Sequence, residues 1–342
     1  MTIDILKPGM LSTIQDLGRD GHQQYGILAN GVMDQYSARM ANILVGNTQD
    51  EAVIECTLIG PTLKFNQDTT IAITGGSLGA IISSYPLPNW HTIHVKKDAI
   101  IEFKGCRSGC RTYVAIAGGI DIPEVLGSKS TYIRAKIGGF HGRPLQKNDQ
   151  LCLKPEKRHN VSWESLQSRP HHTLASWNID QAIIPHYDAS LKIRVIAGAQ
   201  YDFFFGDNQT TFFSNIYNIS NQSDRMGYIL SGIPLSYDKE SNPISEAITF
   251  GAIQVPPNGQ PIILMADRQS VGGYPKIVNV ISADLPLLAQ AKSGDSIKFQ
   301  LIEIRKAQSL YITQIKELNR IESVLKSYFT DDSRISALIS DR

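Results

Sequence analysis

The apolar residues of this chain come in short runs closed by turn residues, and that punctuation restricts the fold more than any other feature. Between Ala52 and Lys104 the runs are Val53-Ile54-Glu55-Cys56, Thr62-Leu63-Lys64-Phe65, Thr70-Ile71-Ala72-Ile73 and Thr92-Ile93-His94-Val95, with Gly, Pro and Asn between them. Such runs suit strands, are too brief for the apolar stripe of a helix, and are spaced as in a β-barrel or sandwich. Residues 1–6, Leu11 to Ile14 and Tyr113 to Ala117 extend the pattern, which resumes at Leu191 and runs to about Ile302. Helices are expected at three places. From Asp34 to Val45, Tyr36, Met40, Ile43 and Leu44 share one face and Gly46 stands where a helix ends. A short helix starts at the N-cap candidate Asp284, with Pro286 in its first turn. Residues 304–329 form an amphipathic helix with Tyr311, Ile315, Leu318, Ile321, Leu325 and Phe329 on its seam, to be covered by a partner or by the chain's own sheet.

A chain of 342 residues has room for two domains. Its halves echo one another. Lys96-Lys97-Asp98-Ala99-Ile100-Ile101-Glu102-Phe103 is matched by Lys292-Ser293-Gly294-Asp295-Ser296-Ile297-Lys298-Phe299, and Leu58 to Phe65 by Leu230 to Tyr237. Their common order makes a duplication plausible, with polar loops facing each other across one cleft. Residues 155–190 are polar and interrupted by Arg169-Pro170 and Ile184-Pro185, reading as a linker or insertion. The expected division is a β domain over 1–154, the connection 155–190, a second β domain over 191–303, and a helix and tail over 304–342.

The charged residues decide what such a scaffold can bind. A net charge of +1 gives no electrostatic case for nucleic acid or a membrane surface. The N-terminus lacks the pattern of a signal peptide, and no apolar run approaches a membrane span, so a cytoplasmic protein is expected. Four cysteines do not make a disulfide framework, and metal-ligand spacing is absent. Gly75-Gly76-Ser77-Leu78-Gly79 lacks the helix that a nucleotide-binding loop precedes, so a bulge or turn is the better reading. The apolar runs Pro261 to Leu264 and Ile277 to Ile281 flank Met265-Ala266-Asp267-Arg268-Gln269-Ser270-Val271-Gly272-Gly273-Tyr274-Pro275-Lys276, and a second polar, glycine-bearing loop follows Gln15. Together with Asp224-Arg225 they provide Asp16, Arg19, Asp224, Arg225, Asp267, Arg268 and Lys276. Arginine and lysine suit carboxylate or phosphate oxygens, and an aspartate beside them can orient a cation or act as a base. A structural salt bridge is the simpler account of any single pair.

Gln15-Asp16-Leu17-Gly18-Arg19, Met33-Asp34, Ala41-Asn42, Arg107 to Arg111, Gly127 to Thr131, Ser223-Asp224-Arg225-Met226-Gly227-Tyr228, Gly251 to Pro256 and the loop from Asp267 to Lys276 resemble the allophanate hydrolase subunit 2-like, or carboxyltransferase, family. The resemblance covers about residues 5–300 and implies a mainly β fold of two related cyclophilin-like β-barrel domains. The family includes the C component of bacterial 5-oxoprolinase. A role of that kind implies a direct heteromeric complex with the B component of that enzyme and a third component, A. Together they would open 5-oxo-L-proline to L-glutamate, with ATP bound by the complex. Asp267, Lys276 and Asp224 are then the expected catalytic residues. Arg225, Arg268, Gln269, Tyr274, Gln254, Gln15, Arg19, Asp34 and Asn42 are the expected substrate- or phosphate-binding residues, and no metal is implied. Two alternatives stay open: a carboxyltransferase moving CO2 from carboxybiotin to urea, and a binding-only antagonist of a histidine-kinase inhibitor.

Overall fold

The computed structural model describes residues 1–155, 169–237 and 243–330. In the first half the strands are β1 (Thr2–Lys7), β2 (Leu11–Gln15), β3 (Val53–Thr57), β4 (Thr62–Phe65), β5 (Thr69–Ser77), β6 (Ala80–Ile82), β7 (Tyr85–Pro86), β8 (His91–Val95), β9 (Ile100–Phe103), β10 (Ser108–Ile116), β11 (Gln150–Cys152) and β12 (His172–Leu174), with helix α1 (Gln35–Leu44) between β2 and β3. They form two six-stranded sheets, ordered β11-β1-β4-β9-β6-β7 and β12-β8-β5-β10-β3-β2. Ile3, Ile5, Leu63 and Phe65 of the first sheet meet Ile54, Ile71, Ile73 and Val114 of the second in one core. The opposite face of the second sheet is buried too. Val53, Ala72, Tyr113 and Ala115 pack there against Met40, Ile43 and Leu44 of α1. Burial on both faces explains why Ile71 to Ile73 of β5 and Tyr113 to Ile116 of β10 are apolar in succession instead of alternating.

In the second half, β13 (Ser190–Ala197), helix α2 (Asp207–Ser214), β14 (Tyr217–Ile219), β15 (Gly227–Ser231), β16 (Glu246–Ala247), β17 (Ala252–Gln254), β18 (Ile262–Leu264), β19 (Val271–Gly272), β20 (Lys276–Val280), helix α3 (Leu285–Ala289) and β21 (Ser296–Leu301) precede the long helix α4 (Ile304–Thr330). Seven of these strands close a barrel in the order β13-β20-β17-β18-β15-β14-β21. The architecture is mainly β, as the short apolar runs require. Among the described residues no helix is long and apolar enough to cross a membrane.

The structure departs from the sequence expectations at identifiable points. Helix α2 was not expected, because Asp207-Asn208-Gln209-Thr210-Thr211 shows no apolar stripe. It is held chiefly by Phe212, stacked 4.7 Å from Phe299 and tilted 5.6 Å from Tyr217, with Phe213 packed partly on the same core. Asp284 does not cap α3 with its side chain. It is drawn off by Arg194, whose Nη2 donates to Oδ1 at 2.5 Å and whose backbone N–H donates to Oδ2 at 2.7 Å. Of the two echoes, Lys96–Phe103 and Lys292–Phe299 share their local structure: Asp98 and Gly294 both have positive φ, and matched turns bond Ala99 N to Lys96 O and Asp295 N to Lys292 O, each at 3.1 Å. The other echo matches unlike places, since Gly60 precedes β4 whereas Gly232 follows β15.

Residues 169–190 do not run free between the halves. β12 adds to the edge of the second sheet beside β8, and Trp177 and Ile183 pack near α1. Positions 156–168, within the expected linker, and the expected tail at 331–342 lie outside the described residues. The chain itself covers the seam of α4: Leu318, Ile321, Leu325 and Phe329 join the core around α1, while Tyr311 stays partly exposed.

Candidate active site between the two halves

β18 feeds the charged loop alongside the segment that enters β15. Met265 N–H donates to Met226 O at 2.9 Å and Asp267 N–H to Arg225 O at 2.8 Å, which sets Asp267 beside Arg225. Arg225 Nε donates to Asp267 Oδ2 at 2.9 Å and Nη2 to Oδ1 at 3.1 Å. The same guanidinium reaches into the first half, where Nη2 donates to Gly31 O at 2.6 Å and Nη1 pairs with Glu55. Asn30, also of the first half, donates to Asp267 Oδ1 at 2.8 Å. A cation buried between two carboxylates therefore ties the halves together.

Behind this knot the polar contacts continue through the interface. Glu55 Oε2 accepts from Met33 N at 2.8 Å and from the Tyr113 hydroxyl at 3.0 Å. Burial, and then the Glu55 charge, push the Tyr113 phenol well above its usual range, so it stays a donor. Its oxygen accepts from Asp34 N at 2.8 Å. Asp34 caps α1, accepting from Ser37 N at 2.9 Å, and its other oxygen accepts from Gln290 Nε2 at 2.9 Å. Full burial pushes the Asp34 carboxyl up to about 6, against those hydrogen bonds. Gln290 Oε1 in turn accepts from Cys110 N at 3.0 Å and Arg111 N at 2.9 Å. The amide enters beside Gly75 (φ 78°), whose added Cβ would stand 2.5 Å from Arg111 O, where β10 bulges against β5 between Ser108 and Thr112. The glycine-rich run ends β5 opposite that bulge and opens no helix.

A cleft of 230 Å³ opens in front of the knot. Leu11, Tyr132, Ile133 and Arg134 line one wall, and Asp224, Arg225, Met226 and Asp267 the other. Asp224 Oδ1 is held by Met226 N at 2.7 Å and Gly227 N at 3.3 Å, an Asx turn that fixes the carboxylate at the rim. Its second oxygen has no partner among the described residues. A groove of 210 Å³ under α4 has Arg39 as its one charged lining residue, and a pocket of 420 Å³ in the first half gathers Asp16, Asp50, Glu51, Glu124, Lys129 and Lys154, with Glu51 paired to both lysines.

Of the residues expected from sequence, Asp267, Arg225 and Asp224 meet in this cleft. Arg19 is fully buried behind it and bonds Val125 O at 3.1 Å and Asn30 Oδ1 at 3.4 Å, so it steadies the asparagine that holds Asp267. Gln15 is also fully buried, with Nε2 on Thr13 Oγ1 at 3.1 Å and Thr131 O at 3.3 Å, and with Oε1 unpartnered among the described residues. Asp34 belongs to the buried interface and not to the cleft wall. Asn42 is away from the site: it clamps the turn after α1 by donating to Glu51 O at 2.7 Å and accepting from Asn47 at 3.1 Å. Lys276, Gln254, Gln269 and Tyr274 do not line the cleft either. Lys276 is buried with Nζ 2.5 Å from Glu246, beside the unpartnered Gln254 Oε1 on the neighbouring strand. Gln269 and Tyr274 are at the loop surface. Arg268 is held by Ile248 O at 3.2 Å over the Phe250 ring, and burial draws its guanidinium below the usual range.

Sequence reasoning missed Glu55, Asn30, Tyr113, Gln290 and the wall that carries Tyr132 and Arg134. A signal for Glu55 existed: a carboxylate at a sheet-facing position of an otherwise apolar strand is costly unless paired. Its partner carried none, since Arg225 lies 170 residues away.

Comparison with known proteins places the chain in a family. Residues 25–301 match the family described as the carboxyltransferase domain, subdomain A and B. The chain is 38% identical over 322 residues to the C subunit of the 5-oxoprolinase of Haemophilus influenzae, spanning 92% of this chain and 98% of that protein. It is 34% identical over 319 residues to the Escherichia coli protein of the same name, spanning 92% and 97%. The crystal structure of the K. lactis urea amidolyase matches with a TM-score of 0.84 at 30% identity, over 94% of this chain and 20% of that larger one. The chain belongs to the carboxyltransferase-domain family, and these relatives bear the names of enzymes or enzyme subunits.

Proposed function

We propose that this chain is the C component of a cytoplasmic, ATP-dependent 5-oxoprolinase and works in a complex with the A and B components. The reaction adds water across the lactam C–N bond of 5-oxo-L-proline, the nitrogen leaving as the amine of L-glutamate while ATP becomes ADP and phosphate. The observation that carries this reading is the end-to-end match to relatives of that name. The interdomain cleft supports it. Asp224 keeps one carboxylate oxygen open, suited to orienting an attacking nucleophile. Asp267, tied down by Asn30 and Arg225, fixes the geometry of that wall. Lys276 and Glu246 brace the loop from below.

A triphosphate does not fit the residues of this cleft. The charge of Arg225 is already balanced by Glu55 and Asp267, and the Gly75-Gly76 backbone is filled by Gln290. We therefore assign ATP to one of the partners, with no step of its chemistry routed through this chain. The overlap with urea amidolyase favours a second reading, carboxyl transfer to urea from a biotin carrier.

The test is reconstitution of the chain with its A and B partners and assay of glutamate release. The expected result is release that requires both 5-oxoproline and ATP. An assembled but inert complex that instead carboxylates urea from carboxybiotin would overturn the reading in favour of the second.

A further inference from the structure

A lactam bearing a carboxylate needs a cation, and the four expected from the sequence are engaged elsewhere, Arg19 being buried on the carbonyls of Val125 and Ser130. Arg225 is neutralised by Glu55 and Asp267, Lys276 by Glu246, and Arg268 is turned onto backbone carbonyls above Phe250. The opposite wall holds a different one. Tyr132 and Ile137 exchange backbone hydrogen bonds, Tyr132 N to Ile137 O at 2.9 Å and the reverse at 3.3 Å. Inside that loop Lys136 N–H donates to Ile133 O at 3.2 Å, closing a turn with Arg134 at its first central position. The base of the turn is fixed to β2: the Thr131 N–H and hydroxyl both donate to Ile14 O, at 2.9 and 2.8 Å, and Gln15 Nε2 donates to Thr131 O at 3.3 Å. Arg134 thus stands on a braced turn at the cleft wall, facing Asp224 and Asp267 across 230 Å³, and its exposed guanidinium makes no hydrogen bond or ion pair with any described residue.

We propose that Arg134 determines specificity in the cleft by binding the carboxylate of a carboxylate-bearing lactam, an assignment that rests on the lactam-opening function proposed above. A guanidinium presents paired N–H groups that match both oxygens of a carboxylate, which an ammonium cannot reproduce. Of the two cations that line the cleft, Arg225 is paired and Arg134 is not, so an anionic group is drawn to the first-half wall and the ring is left toward Asp224. Urea has no carboxylate and gains nothing from this contact.

The experiment uses the full reconstituted complex with Arg134→Met, which keeps the aliphatic stem, and Arg134→Lys, which keeps the charge. With 5-oxoproline the expected result is a rise in KM on the order of 10- to 100-fold for Arg134→Met. The turnover number and the KM for ATP stay near wild type, and Arg134→Lys restores part of the loss. An active wild type with an unchanged KM in Arg134→Met overturns the assignment alone. So does a parallel rise in the KM for ATP with failed complex assembly, which marks a structural role. A wild-type complex inert toward 5-oxoproline overturns the proposed function and this assignment with it.

Discussion

Asp34 shows how one side chain serves local structure and the interface at once. It caps α1 and also takes the Gln290 amide from the second half. Its carboxyl, pushed from 3.8 up to about 6 by burial, costs the folded state free energy whenever it is ionised. The favourable contribution of the protonated group is complete below the unfolded value near 3.8 and is lost as pH rises through about 6. Asp34→Asn should therefore gain stability relative to wild type between pH 4 and 7, by up to about 3 kcal/mol. Denaturant midpoints across that range check it, and a difference that stays flat or reverses with pH contradicts the account. The helix cap at Asp34 was legible because capping is a local rule. Its second partner was not, because Gln290 and Asp34 are 256 residues apart and no periodicity links them. The same limit applies to the cleft: Asp224, Arg225 and Asp267 stand out as charges on glycine-bearing segments, whereas Arg134 becomes informative only when Arg225, Arg268 and Lys276 are seen to be engaged elsewhere.

At the scale of elements, what could be read was what repeats. The four apolar runs between Ala52 and Lys104 became β3, β4, β5 and β8, and the stripe at 304–329 became α4. Helix α2 was invisible because its reason to form is tertiary, chiefly one phenylalanine on a neighbouring strand's ring, and propensity says little about such a segment. The seam of α4 gives a test at this scale. Leu325 is buried against the core around α1, and the indole of Trp177 lies 5.7 Å from Tyr328 and 6.0 Å from Phe329. Leu325→Ala should cost about 2–5 kcal/mol, felt mostly as loosening of the last turns of α4. Trp177 fluorescence should shift to the red well before global unfolding in a denaturant series. Emission that changes only with the global transition would show that α4 is no separate unit.

Across the whole molecule, two β units are joined by a buried polar seam running from Asp267 through Arg225, Glu55, Tyr113 and Asp34 to Gln290. Truncating either member of such a buried pair leaves a charge uncompensated, so the seam sets the relative placement of the halves more than it adds stability. That placement makes the cleft, since each half supplies one wall. The mainly β character could be read from runs and turns, and one of the two echoes shares its local structure. The register of one half on the other could not be read, because it depends on side chains that meet only after both have folded. We propose that chemistry takes place in this cleft, at the open oxygen of Asp224. The most direct measurement is ATP-dependent glutamate release from 5-oxoproline by a complex containing Asp224→Asn, with assembly verified by size-exclusion chromatography. The account predicts an intact complex whose turnover falls on the order of 100-fold or more. An intact Asp224→Asn complex that turns over like wild type would contradict it.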